Sequence, residues 1–169
     1  TIPAAGSAGV KDIVIQTDTG DITLAGAYTV NPAGEIGGFV ADWTRWEEVA
    51  GLPAERSAPA VGVLNGVLYA FGGSWSSGYA TNMYRYAGGS WSEVVGLPSA
   101  RAGLGAGEMN ESLFAVGGRD GSSLYGTNLY QYNGTNWAEV VGLPDGHRNL
   151  SAGVLNGALY AIGGSSSSS

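Results

Sequence analysis

Apolar and polar positions alternate along this chain in short bursts. From Ser57 onward an apolar and glycine run, Ala58 to Leu64, leads through Asn65-Gly66 into a second apolar run, Val67 to Phe71. Asn-Gly between two such runs is the strongest short-range signal for a two-residue hairpin turn, because both central residues must take φ > 0. A loop rich in Ser, Gly and Thr then runs to Thr81, and Asn82-Met83-Tyr84-Arg85-Tyr86 alternates with the period of two of a strand. Ala87 to Ser90 predicts a turn and Trp91 to Val95 a fourth strand. Gly96-Leu97-Pro98 ends it, since proline brings no donor to a ladder. The pattern is four short antiparallel strands with no helical stretch between them.

The pattern then recurs. Trp46, Trp91 and Trp137 each open an eight-residue segment ending Gly-Leu-Pro, at spacings of 45 and 46 residues. Gly72-Gly73, Gly117-Gly118 and Gly163-Gly164 keep the same spacings. A fixed period of this length is the signature of a repeat architecture. The second period predicts strands near 102–108, 113–116, 128–132 and 137–141, and a third begins with 150–155 and 158–162.

The double glycine after an apolar strand, the tyrosine pairs Tyr84/Tyr86 and Tyr130/Tyr132, and the Trp opening strand four together resemble kelch repeats, from about Phe39 to Gly164. The resemblance implies an all-β fold of kelch-type β-propeller blades, each a four-stranded antiparallel sheet. Other β-repeats, such as a stacked solenoid or a trimeric fibre, are the alternative. A lone four-stranded sheet cannot cover both faces, so neighbouring blades must do so. Trp, Tyr and Leu are the side chains for that packing, and Gly-Gly suits close backbone approach or φ > 0.

The first 40 residues read differently. Residues 1–10 form an arm, Asp12 to Gln16 and Ile22 to Leu24 a hairpin turning at Thr17 to Asp21, and Tyr28 to Ile36 a loop. Gly38 to Ala41 and Trp46 to Val49 fit strands three and four of an incomplete blade. The expected organisation is an attachment segment over 1–35 and repeats over 36–169: a partial blade 36–53, blades 54–98 and 99–144, and a partial blade 145–169. That makes three blades' worth of strands, an incomplete ring where propellers close with roughly 4 to 8 blades. The chain is expected either to continue beyond these residues or to share a ring with other copies.

Composition narrows the function. Glycine supplies 30 of 169 residues and charged residues only 12%, a turn-rich β composition. The net charge is −7 and Lys11 is the lone lysine, so nucleic acid is not expected as a partner. There is no Cys, hence no disulfide, zinc-thiolate or thiol nucleophile. No apolar run approaches the roughly 18 residues of a membrane helix.

Candidate catalytic features dissolve on inspection. Asp18-Thr19-Gly20 matches half of an aspartic-protease pair, but a second triplet is lacking and Asp18 falls in a turn. Gly103 to Gly107 precedes no helix, as a dinucleotide loop must. The lone His147 reads as an exposed loop residue at the place of Arg56 and Arg101. The recurring Glu47/Glu48, Glu93 and Glu139 read as a structural or solvated face. The copper site of kelch-type oxidases resembling galactose oxidase needs two His and a Cys-modified Tyr, which one His and no Cys cannot build. No metal, cofactor or enzymatic activity is expected. Asn110-Glu111-Ser112, Asn133-Gly134-Thr135 and Asn149-Leu150-Ser151 fit the glycosylation sequon, which matters only in a protein secreted by a eukaryote.

The loops after the double glycines are the functional candidates. Ser74 to Tyr79 and Arg119 to Tyr125 hold one place in two blades, yet differ while the strands are nearly identical. Loops on a rigid scaffold carry recognition. Trp75, Tyr79, Arg119, Asp120 and Tyr125 are the binding candidates. Trp46, Trp91, Trp137, Tyr86, Tyr132 and the Gly-Gly pairs are the structural markers. The expectation is a non-enzymatic binding or assembly module of an extracellular or virion appendage, such as a tail fibre or adhesin. Its partners would be a cell-surface glycan or protein and further copies of itself or other fibre proteins. An intracellular kelch adaptor and a non-catalytic part of a carbohydrate-active enzyme are the alternatives.

Overall fold

The computed structural model describes residues 9–17, 20–30, 38–41, 46–122 and 124–166. They are all-β: no helix occurs among them, and so none long and apolar enough to cross a membrane. Two compact units divide at Pro53/Ala54. In the first, β1 (Gly9–Thr17) and β2 (Gly20–Val30) form an antiparallel hairpin with a register shift between Lys11 and Ile13. β3 (Gly38–Ala41) pairs with β4 (Trp46–Val49). The predicted hairpin exists but is longer than expected: Gly9 and Val10 are strand rather than arm, and Tyr28 to Val30 continue β2 rather than loop. Asp18 and Thr19 lie outside the described residues.

The second unit carries the repeats. Its first sheet runs β5 (Ala60–Leu64), β6 (Val67–Phe71), β9 (Met83–Ala87), β10 (Ser90–Val94) in spatial order, with the ribbon β7 (Ser74–Trp75) and β8 (Gly78–Tyr79) set into the β6–β9 connection. Its second sheet runs β11 (Ala102–Met109), β12 (Ser112–Arg119), β13 (Leu129–Tyr132), β14 (Trp137–Val140). β15 (His147–Arg148) pairs with β18 (Ser165–Ser166), and β16 (Ser151–Leu155) with β17 (Ala158–Ile162), the inner hairpin of a third blade. These are propeller-type blades, two complete and one partial. His147 is strand rather than loop, and half-buried.

The turns follow the sequence. Asn65 and Gly66 sit at φ 51° and 74°, and Asn156 and Gly157 at 52° and 74°. The middle hairpin keeps that geometry with Asn110 and Glu111 at 51° and 56°. A left-handed non-glycine residue costs roughly 1–2 kcal/mol. Glu111→Gly should therefore stabilise the chain by about 1 kcal/mol in a urea titration.

Directly opposite residues share a sheet face. Register thus puts Ala60, Gly62, Leu64, Tyr69, Phe71 and Met83 on one face of the first sheet, its front. Val61, Val63, Leu68, Ala70, Tyr84, Tyr86 and Trp91 form the rear. The front of the first sheet packs on the rear of the second. Tyr69 meets Tyr132 edge-on at 5.9 Å between ring centroids, Phe71 meets Trp137 at 5.4 Å, and Gly62 lies against Leu113. The front of the second sheet packs on the third hairpin in the same way: Gly107 lies against Leu159 and Val154, and Gly105 against Ala152. The core is accordingly the seam between the two sheets, with Leu64, Phe71, Met83, Leu113 and Ala115 fully buried.

Gly72 at φ 66° shows why the double glycine is needed. A Cβ there would stand 2.7 Å from the carbonyl of Arg101, whose oxygen accepts the Gly73 amide at 2.8 Å, where one blade hands over to the next.

Burial in the seam, with Tyr69 beside it and against the opposing effect of Arg85, raises the Tyr132 phenol above its ordinary pKa. The folded state thus holds this proton after the unfolded chain has lost it. That contribution is complete below about pH 10 and is lost as pH climbs from there through the folded value. The alkaline fall in stability should be shallower in Tyr132→Phe, read by thermal melts between pH 8 and 11.

Candidate binding site

The β7–β8 ribbon ends over a cleft of about 400 Å³ lined by Ala54, Glu55, Arg56, Trp75, Ser76, Asn82 and Tyr84. Arg56 is its organising residue. The guanidinium carbon lies 4.8 Å from the centroid of the Trp75 ring and 5.6 Å from that of Tyr84. Nη2 donates to Asn82 Oδ1 at 3.0 Å and to Tyr84 Oη at 3.3 Å. Asn82 is held from behind, donating through Nδ2 to Glu93 Oε1 at 2.5 Å. Arg56 Nη1 is buried without a hydrogen-bond partner among the described residues, as is Arg101 Nη1 at the equivalent repeat position. Trp75 donates from Nε1 to Ser77 Oγ, which fixes the indole, and the side chain remains 39% exposed.

The second blade builds the same chain of contacts and closes it. Arg101 Nη2 donates to Asn128 Oδ1, and Asn128 Nδ2 to Glu139 Oε1, both at 2.5 Å. Arg101 Nε donates to Ser99 Oγ at 2.9 Å, and Ser99 Oγ is 3.0 Å from Tyr130 Oη. Arg101 is 8% exposed, with Gly126 packed on its guanidinium. The recurring Glu93 and Glu139 thus anchor an Arg-Asn pair within their own blade, which decides for the structural reading of that face.

Counting 45 residues on from Trp75 gives Asp120, which faces its own loop. Its Oδ1 accepts the amides of Ser122 at 2.9 Å and Leu124 at 3.1 Å. Arg119 bridges backbone to backbone with Tyr125, whose ring lies 4.8 Å from the Arg148 guanidinium. Tyr79 is half-buried, its ring edge reaching Gly121 in the neighbouring loop. Of the five loop candidates, then, only Trp75 lines this cleft. Tyr79 and the Arg119, Asp120 and Tyr125 group lie to the side of it. Arg56 was missed, although the signal was present: an arginine sharing a repeat position with Arg101, but with Trp instead of Asp in the loop above it. His147 lines a smaller cleft of about 210 Å³ with Leu143, Pro144, Asp145, Leu150, Ala161 and Gly163. Among the described residues no three His, Cys, Asp or Glu side chains gather as a metal site requires.

No family model and no curated protein matches the chain. Among solved structures it is similar to one described as "Structure of YjhT". The two are 18% identical with a TM-score of 0.65, over 73% of this chain and 43% of that one. The likeness is one of fold, and this chain spans less than half the length of that neighbour.

Proposed function

We propose that this chain is a non-enzymatic recognition module built of kelch-like blades. It binds a glycan through the Arg56–Trp75–Tyr84 cleft as part of an extracellular or virion appendage such as a tail fibre or adhesin. The cleft's construction is the observation that carries the reading. A partly exposed indole held by Ser77 offers an apolar face to a sugar ring, beside a guanidinium clamped by Asn82 and Tyr84. Few convergent polar groups beside aromatic faces are what such pockets use for orientation. The blade rigidity beneath supports it, since Asn82 and Glu93 fix the arginine before a ligand arrives.

A glycan array probed with the chain, followed by titration of the best hit, tests this reading. Trp75→Ala should weaken binding at least tenfold, about 1.4 kcal/mol, while stability changes by less than about 0.5 kcal/mol. Arg56→Lys should weaken it as well, because an ammonium lacks the planar fork that stacks on Trp75. A glycan bound equally well by both variants would remove the cleft from the mechanism. A blank array would remove the glycan.

A further inference from the structure

The first two blades build the same arginine site from different neighbours. Ala80 and Gly126 hold one place in the repeat. Each donates its amide to the second glycine of its own blade's pair, Ala80 to Gly73 at 2.8 Å and Gly126 to Gly118 at 2.7 Å. Each carbonyl accepts an amide from the start of the next blade, that of Arg101 at 3.1 Å and that of His147 at 3.2 Å. Both residues are buried, and they differ by one methyl group. A Cβ on Gly126 would run into Nη1 of Arg101 and stand 3.0 Å from its Cζ, so the deep seat that Arg101 occupies depends on that residue being glycine. Ala54 and Ser99, each directly after a Gly-Leu-Pro, hold a second such place. Ser99 Oγ accepts from Arg101 Nε at 2.9 Å, and an alanine side chain has no acceptor to offer.

We propose that Ala80 is the positioning residue of the candidate cleft. Its methyl fills in the first blade the space that Arg101 takes in the second, and Ala54 withholds the acceptor that Ser99 supplies there. Arg56 is thereby kept out of the deep seat and held against the Trp75 ring, 4.8 Å from its centroid. The two arginines differ in the expected direction. Arg56 Nη2 stands 3.0 Å from Asn82 Oδ1, where Arg101 Nη2 stands 2.5 Å from Asn128 Oδ1. Arg56 reaches its blade's tyrosine directly, Tyr84 Oη at 3.3 Å, while Arg101 is joined to Tyr130 through Ser99. Arg56 remains half-buried, and Arg101 is 8% exposed. Interiors are close-packed, so a single methyl is enough to decide which seat a guanidinium takes. Ala80 is itself 1% exposed, so it sets the cleft from beneath without touching a ligand. The consequence for binding rests on the glycan reading; the placement of the arginine does not.

Arginine accessibility reads this placement without any ligand. Modification by phenylglyoxal, located by peptide mass spectrometry, should show Arg56 reacting faster than Arg101 in the wild type. Ala80→Gly combined with Ala54→Ser should slow Arg56 to the rate of Arg101. The reciprocal pair, Gly126→Ala with Ser99→Ala, should raise Arg101 to the rate of Arg56. A purely structural role for Ala80 predicts the opposite sign, since a loosened blade exposes Arg56 and speeds its reaction. In binding, the Ala80→Gly/Ala54→Ser variant should weaken the best array hit about tenfold, as Trp75→Ala does. An Arg56 that reacts as fast as in the wild type, or faster, in that variant overturns the proposal. So does an Arg101 that stays protected in the reciprocal variant. Arginines that respond as expected while the array is blank uphold the positioning and remove only the glycan.

Discussion

Gly62→Val should destabilise the chain by several kcal/mol, while Gly153→Val, at the equivalent position two repeats later, should leave the fold of a single copy intact. At residue 62 any Cβ runs into Leu113 Cδ1, and Leu113 is itself 0% exposed in the seam between the sheets. The leucine cannot swing into solvent, so relief requires moving one sheet against the other, and overpacking of this kind costs about 1–3 kcal/mol or more. At residue 153 there is no neighbour within 4 Å, and valine favours a strand over glycine. Urea titrations of the two variants separate these outcomes. Equal destabilisation at both positions would mean that the seam does not decide which glycines are required.

The repeat was legible because its markers are local. Asn65-Gly66 specifies a turn by its own φ requirement, and Trp91 and Trp137 lie at the start of strands that pair with the tyrosine strands before them. What the sequence could not express is burial, which depends on the neighbour. Phe71 and Ile162 have the same local pattern and opposite exposures, because among the described residues a following blade covers only the first. The loop candidates show the same limit. Trp75 and Asp120 occupy one repeat position. The indole lies over Arg56, whereas the carboxylate satisfies its own loop's amides, as a short acceptor two residues from an amide is apt to do. Arg56 and Arg101 are indistinguishable by repeat position, and only the packing of Gly126 on one of them separates a closed arginine from an open one.

Trp137→Ala should cost about 3 kcal/mol, the lower end of what losing a large buried aromatic removes, since Trp137 is half-buried. Its ring contributes in two directions. It packs at 5.0 Å on Tyr132 within its own sheet and at 5.4 Å on Phe71 of the preceding one, and Nε1 donates to the Val95 carbonyl at 3.2 Å, where the previous blade's last strand ends. Trp137→Phe keeps an aromatic face but loses the donor, and should cost about 1 kcal/mol from that bond, with a smaller loss from the lesser area. Trp46 occupies the same place in the repeat but is 56% exposed, so Trp46→Ala should change stability by no more than about 0.5 kcal/mol. If the repeat motif stabilises each strand by itself, the two alanine variants will melt alike. If the tryptophan acts by bridging one blade to the one before it, only Trp137→Ala will melt early, and Trp137→Phe will fall between it and the wild type.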